Sequence, residues 1–242
     1  MNTVQFALDN LANNLRIYAE NRLRAEGLFA VDPEEAINNI DRSFESMLEA
    51  FHRVYDVTKE EFNFFEYADT SLLILLRNAI HHRDHPLFKS WNYEMHLNGG
   101  MNQYSGAEFI FVNYKTIEDG IWSEYYFKLS DIFDRIDKER GSAYIEKKMS
   151  DDNKAKLVDL IRSQLKTDII QAHAEEQRYP FCQVYLNMIQ ILSSGVSRVF
   201  HHFRDSGVLV KGYDATVYAE HFTTAHIINL NSSIEYKALR IP

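Results

Sequence analysis

The chain concentrates its proton-moving and phosphate-holding groups in one segment, Arg77-Asn78-Ala79-Ile80-His81-His82-Arg83-Asp84-His85. An arginine near a histidine suits phosphodiester chemistry. The guanidinium stays charged and clamps phosphate oxygens in a fork. The imidazole titrates near neutrality, so it can take a proton from one oxygen and give one to another. On a helix, Asn78 and His82 share a face, and His81 and His85 share another if the helix lasts that far. Arg77 lies about 140° from His82 on the helical wheel, and its long side chain can swing toward the same end. The alternative is structural. Cations collect at helix C-termini because they complement the dipole there.

Other constellations are weaker. His81 and His85 have metal-ligand spacing and would serve a metal-dependent hydrolase with a distant third histidine. However, His85 precedes Pro86, which disfavours helical geometry, and no Glu completes a zinc-protease motif. His201-His202 reads as a helix end or core edge, and His221 with His226 as surface or packing. His52 and His173 stand isolated. No phosphate-binding glycine loop, dinucleotide fingerprint or nucleophile elbow occurs. Tyr93, Tyr104, Tyr125 and Tyr126 offer either core packing or stacking surfaces for unpaired bases. The single cysteine, Cys182, excludes a disulfide framework and a Cys-based zinc site. Its apolar neighbours predict a buried, inert thiol.

The elements that position the Arg/His segment read as helices. Val4, Phe6, Leu8, Leu11, Leu15, Tyr18 and Leu23 predict an amphipathic helix over 3–26, stopped by Gly27. Asp32-Pro33-Glu34-Glu35 opens a second, reaching about residue 55. Thr58-Lys-Glu-Glu61 looks like another capping box, starting a short helix. Asp69-Thr70-Ser71 caps a third long helix whose Leu72, Leu73, Leu75, Leu76 and Ile80 predict the buried centre of a bundle, ending near Asp84. Residues 86–108 read as a long loop and 109–114 as a strand, one arm of a small hairpin. Helices follow over about 123–139, from 150 through Ile170, and over 181–205, where Gly207 stops the last. Residues 208–242 suggest a strand or extended arm.

With 242 residues, 45% hydrophobic and 25% charged, the chain has the composition of a globular protein. A net charge of -9 argues against a general DNA coat but allows a local basic pocket. No signal-like leader and no apolar run near the length of a membrane span are evident. The expectation is therefore a cytoplasmic chain without membrane association.

Arg77-Asn78-x-x-x-His82 resembles the R-N-x-x-x-H signature of the HEPN superfamily. These are all-α domains, many of them ribonucleases in toxin–antitoxin, phage-abortive and other defence systems. The likeness covers the motif and the helix order over residues 1–90. Residues 90–242 have no counterpart, and the strand at 109–114 departs from a minimal bundle. The resemblance implies a mainly α fold, with a HEPN-like core over 1–90, a loop and strand insertion over 91–122 and further helices over 123–242. It implies that Arg77 binds the scissile phosphate, His82 acts as general base or acid and Asn78 orients one of them. His81, Arg83, His85 and Lys89 would form a positive wall for RNA, with Glu66 or Asp69 an acidic partner. Cleavage would need no metal or other cofactor and would leave a cyclic phosphate and a 5′-hydroxyl. A homodimer and an antitoxin protein are the implied partners. The acidic body equally suits a HEPN-like interaction or nucleotide-binding protein without catalysis.

Overall fold

The computed structural model describes residues 3–82, 85–97, 99–118, 123–208, 210–229 and 231–242. Two long helices form an antiparallel pair: α1 (Thr3–Phe29) and α2 (Pro33–Thr58). The turn between them works by capping. The Asp32 side chain accepts the Glu35 N–H at 3.0 Å, and Pro33 supplies a preset φ at the first helical position. Gly27 does not stop α1, which runs on to Phe29. A lone glycine costs a helix only about 1 kcal/mol against alanine, too little to end one with the rest of its length intact. Thr58 opens no helix either. Its hydroxyl donates back to the Val54 carbonyl at 2.6 Å, so it closes α2, and residues 59–67 are turns.

Next comes α3 (Ala68–His82), apolar nearly all round and buried at every position from Ala68 to Leu76. It packs against α2, α6 (Asp151–Gln164) and α8 (Met188–Asp205). Its N-terminus is tied to α8 through Asp69, which accepts from the Ser194 hydroxyl and from Arg198 Nε. Gly195 lets the two helices approach closely: a Cβ there would lie 2.8 Å from Leu73 Cδ1.

The expected hairpin is instead a four-stranded mixed sheet drawn from distant segments. β1 (Glu108–Asn113) pairs parallel to β3 (Val184–Asn187) and antiparallel to β4 (Glu235–Arg240), and β2 (Tyr126–Lys128) edges β3. Residues on β1 alternate between two cores. Ile110 and Val112 join the main helical core, while Phe109 and Phe111 join an aromatic cluster with Tyr126 and Tyr185 against Trp91. That cluster is covered by α4 (Trp91–His96), a helix inside the stretch expected as loop.

Further expectations are corrected. The helix expected over 123–139 is shorter, α5 (Leu129–Ile136), because residues 126–128 are taken by the sheet. The helix from 150 breaks at Lys166, whose φ is +51°, and resumes as α7 (Thr167–Glu176). The helix expected from 181 begins only at Met188, since Val184–Asn187 is the buried strand β3. In the last segment, α9 (Tyr213–His221) lies against α1 and β4 closes the sheet. Cys182 is exposed, not buried, because it lies in the short turn before β3. Among the described residues the fold is mainly helical with a small sheet.

Candidate active site

The Arg/His segment lies at the C-terminal end of α3, where the helix emerges from the core. Arg77 and Asn78 are half-buried, and His81 and His82 are exposed. Beside it α2 presents its polar side, opposite the face of Phe44, Met47, Leu48 and Phe51. Between them runs a cleft of about 840 Å³ whose lining includes Arg42, Glu49, His52, Arg53, Arg77 and His81.

Glu49 organises the cleft. Its Oε2 accepts from Arg77 Nε at 3.1 Å and Nη2 at 3.0 Å, and its Oε1 lies 3.2 Å from His81 Nδ1. Arg77 Nη1 donates to Asn78 Oδ1 at 3.1 Å. One carboxylate therefore holds a permanent cation and an imidazole side by side. Farther along α2, His52 Nδ1 is 3.2 Å from Asp56 Oδ2. Burial, then the nearby Arg77 charge, lowers the pKa of His52, so its neutral form is favoured.

The two halves of the R-N-x-x-x-H motif diverge within the chain. Arg77, Asn78 and His81 share the cleft. His82 lies on the other flank, its Nε2 3.4 Å from Lys148 Nζ. The physical reason is the wheel: five residues rotate the direction by about 140°, and the Glu49 ion pair holds Arg77 toward α2. Arg83 lies outside the described residues. His85 is beyond the helix, which ends at His82, so its spacing to His81 makes no shared face. His85 Nδ1 accepts the Leu87 N–H at 3.3 Å. Lys89 Nζ lies 4.7 Å from the Tyr93 ring centroid. No group of three metal-ligating side chains occurs among the described residues.

Of the two acids expected as partners, Glu66 precedes α3 and Asp69 lies in its first turn, both at the end away from Arg77. Asp69 is buried at the opposite end of α3, about 12 Å along the axis from Arg77, and is occupied by α8. The carboxylate that meets Arg77 is Glu49, from another helix. Its signal was invisible in a charge count, but Glu49, His52 and Asp56 at spacings of three and four do mark one face of α2.

The segment after α3 is fixed by a buried carboxylate. Phe88 adopts φ +62°, and its N–H donates to Asp131 Oδ2 at 2.8 Å. Burial pushes the Asp131 carboxyl up to about 6, against the pull of that hydrogen bond and of Lys128.

No family model, curated protein or solved structure matches this chain. Among the described residues no helix is long and apolar enough to cross a membrane.

Proposed function

We propose that the chain is a HEPN-type, metal-independent endoribonuclease working at the α2–α3 cleft, with Arg77 holding the scissile phosphate. The observation that carries this reading is the Glu49 carboxylate on Arg77 and His81 together. A carboxylate and a phosphate offer the same pair of acceptor oxygens to a guanidinium fork. Glu49 thus stands where a phosphate would sit, and its donors are already converged on that place. A substrate phosphate displaces it, gaining a clamp from Arg77 and a proton donor from His81. Asn78 braces the guanidinium through Nη1.

The ribose 2′-hydroxyl then attacks phosphorus as it gives its proton to a base, the bond to the 5′-oxygen breaks, and His81 protonates the leaving oxygen. The products are a cyclic phosphate and a 5′-hydroxyl, so DNA is not a substrate. In this reading His81, rather than His82, partners Arg77 within one chain. The homodimer, the defence setting and an antitoxin belong to the same proposal.

One observation favours the non-catalytic reading. Arg77 already has protein partners at Nε, Nη1 and Nη2, as a structural pin between α2 and α3 would. The deciding assay is cleavage of labelled single-stranded and transfer RNA in excess EDTA. The expected result is cleavage by the wild type, with cyclic-phosphate ends. Arg77→Ala is expected to lose a factor of about 10²–10³, the scale for one donor to a developing charge. A folded wild type that leaves both RNAs intact supports the pin. Loss of cleavage in His82→Ala with full rate in His81→Ala returns the role to His82.

A further inference from the structure

The cleft holds a second imidazole that this mechanism leaves unused. His52 lies one turn beyond Glu49 on α2, lines the same cleft as Arg77 and His81, and has only 13% of its side chain exposed. Its ring is held from two sides: Nδ1 meets Asp56 Oδ2 at 3.2 Å, and the edge packs on Tyr55 at 5.3 Å between centroids. The pairing repeats that of His81 with Glu49. Two imidazoles in one cleft each turn Nδ1 to a carboxylate, leaving Nε2 as the nitrogen for proton exchange, with a guanidinium in the same cleft. A carboxylate on Nδ1 fixes the tautomer and ring orientation, as an orienting acid does for a catalytic histidine.

Transfer of a phosphoryl group from one oxygen to another needs two proton movements, one off the attacking oxygen and one onto the leaving oxygen. A single histidine cannot be both base and acid in the same step. We infer that His52, oriented by Asp56, is the base of this cleft: it takes the 2′-hydroxyl proton while His81 gives one to the leaving 5′-oxygen. This rests on the ribonuclease reading above. The step balances without another reagent. The O2′–P bond forms, the P–O5′ bond breaks, one proton moves to His52 and one leaves His81. The charged groups facing His52 are Asp56 and Glu49 of its own helix and Arg77 of α3. Burial and Arg77 both favour its neutral form, the form a base requires.

The test is the pH–rate profile of RNA cleavage in EDTA for the wild type, His52→Ala and Asp56→Asn, with thermal melts to establish folding. His52→Ala is expected to slow kcat by about 10²-fold or more and to lose the acid limb of the profile, with partial rescue by added imidazole. Asp56→Asn is expected to keep the limb and slow kcat by about 10-fold, because it disturbs orientation only. A histidine–aspartate pair on a helix that merely supported structure would leave rate and profile unchanged. Wild-type cleavage with an unaltered rate and acid limb in His52→Ala overturns the assignment of His52 alone. A rate loss in His52→Ala that keeps the acid limb and resists imidazole overturns it too. Absence of cleavage by the wild type overturns the ribonuclease reading and this inference with it. If His52→Ala does not fold, unchanged kcat in Asp56→Asn overturns the orienting pair.

Discussion

Replacing Asp69 by alanine tests whether α3 is anchored from its N-terminus. Asp69 is 4% exposed, and both of its oxygens are used. Oδ1 accepts the Thr70 N–H at 2.8 Å, and Oδ2 accepts from the Ser194 hydroxyl and from Arg198 Nε. A hydrogen bond to a charged group contributes about 1.5–3 kcal/mol and a neutral one about 1 kcal/mol. Removing one partner of a buried ion pair costs about 3–5 kcal/mol because the other charge stays buried. Here the lower end applies. The Arg198 side chain keeps 20% exposure and rests on the Tyr67 ring, so it can turn to water, and Ser194 still accepts from the Ile228 N–H. The expected loss for Asp69→Ala is about 3 kcal/mol. For a chain of this size that is a fall in Tm of roughly 6–12 °C. Urea unfolding of Asp69→Ala, Arg198→Met and the double variant measures both the loss and the coupling between the two side chains. A loss under about 0.5 kcal/mol, or a double variant whose losses simply add, refutes the anchor.

Two other perturbations give expected outcomes. Glu49→Gln removes the carboxylate that occupies Arg77 and His81, so binding of single-stranded RNA should tighten several-fold and weaken more steeply with salt, as filter binding across a salt series reads directly; equal or weaker binding contradicts the phosphate-mimic reading. Asp131 has its pKa raised to about 6 from 3.8, so the folded state holds a proton that the unfolded chain has released. Its contribution is full below about pH 4 and is lost as pH rises to about 6, up to roughly 3 kcal/mol. Asp131→Asn keeps an acceptor for the Phe88 N–H and should gain stability relative to the wild type across that window, read from urea midpoints against pH; a constant difference between pH 4 and 7 disproves it.

The sequence by itself determined what short-range patterning controls. The two long amphipathic helices, the buried third helix and the strand at 108–113 follow from apolar spacing, capping residues and β-branched or aromatic runs, each set by neighbours a few residues away. So did the location of Arg77, Asn78 and His81 at the exposed end of a buried helix. Tertiary structure decided the rest. The sheet joins β1 to strands more than seventy residues away, a pairing that no local period encodes. Val184–Asn187 continues an apolar run that reads equally well as helix, and only its place between β1 and β2 makes it a strand. The acid that holds Arg77 comes from α2, twenty-eight residues earlier, because packing two helices brings together side chains whose separation along the chain is arbitrary. That contact turns Arg77 away from His82 and toward His81. Which of two neighbouring histidines shares a carboxylate with Arg77 is thus decided by which helix lies alongside.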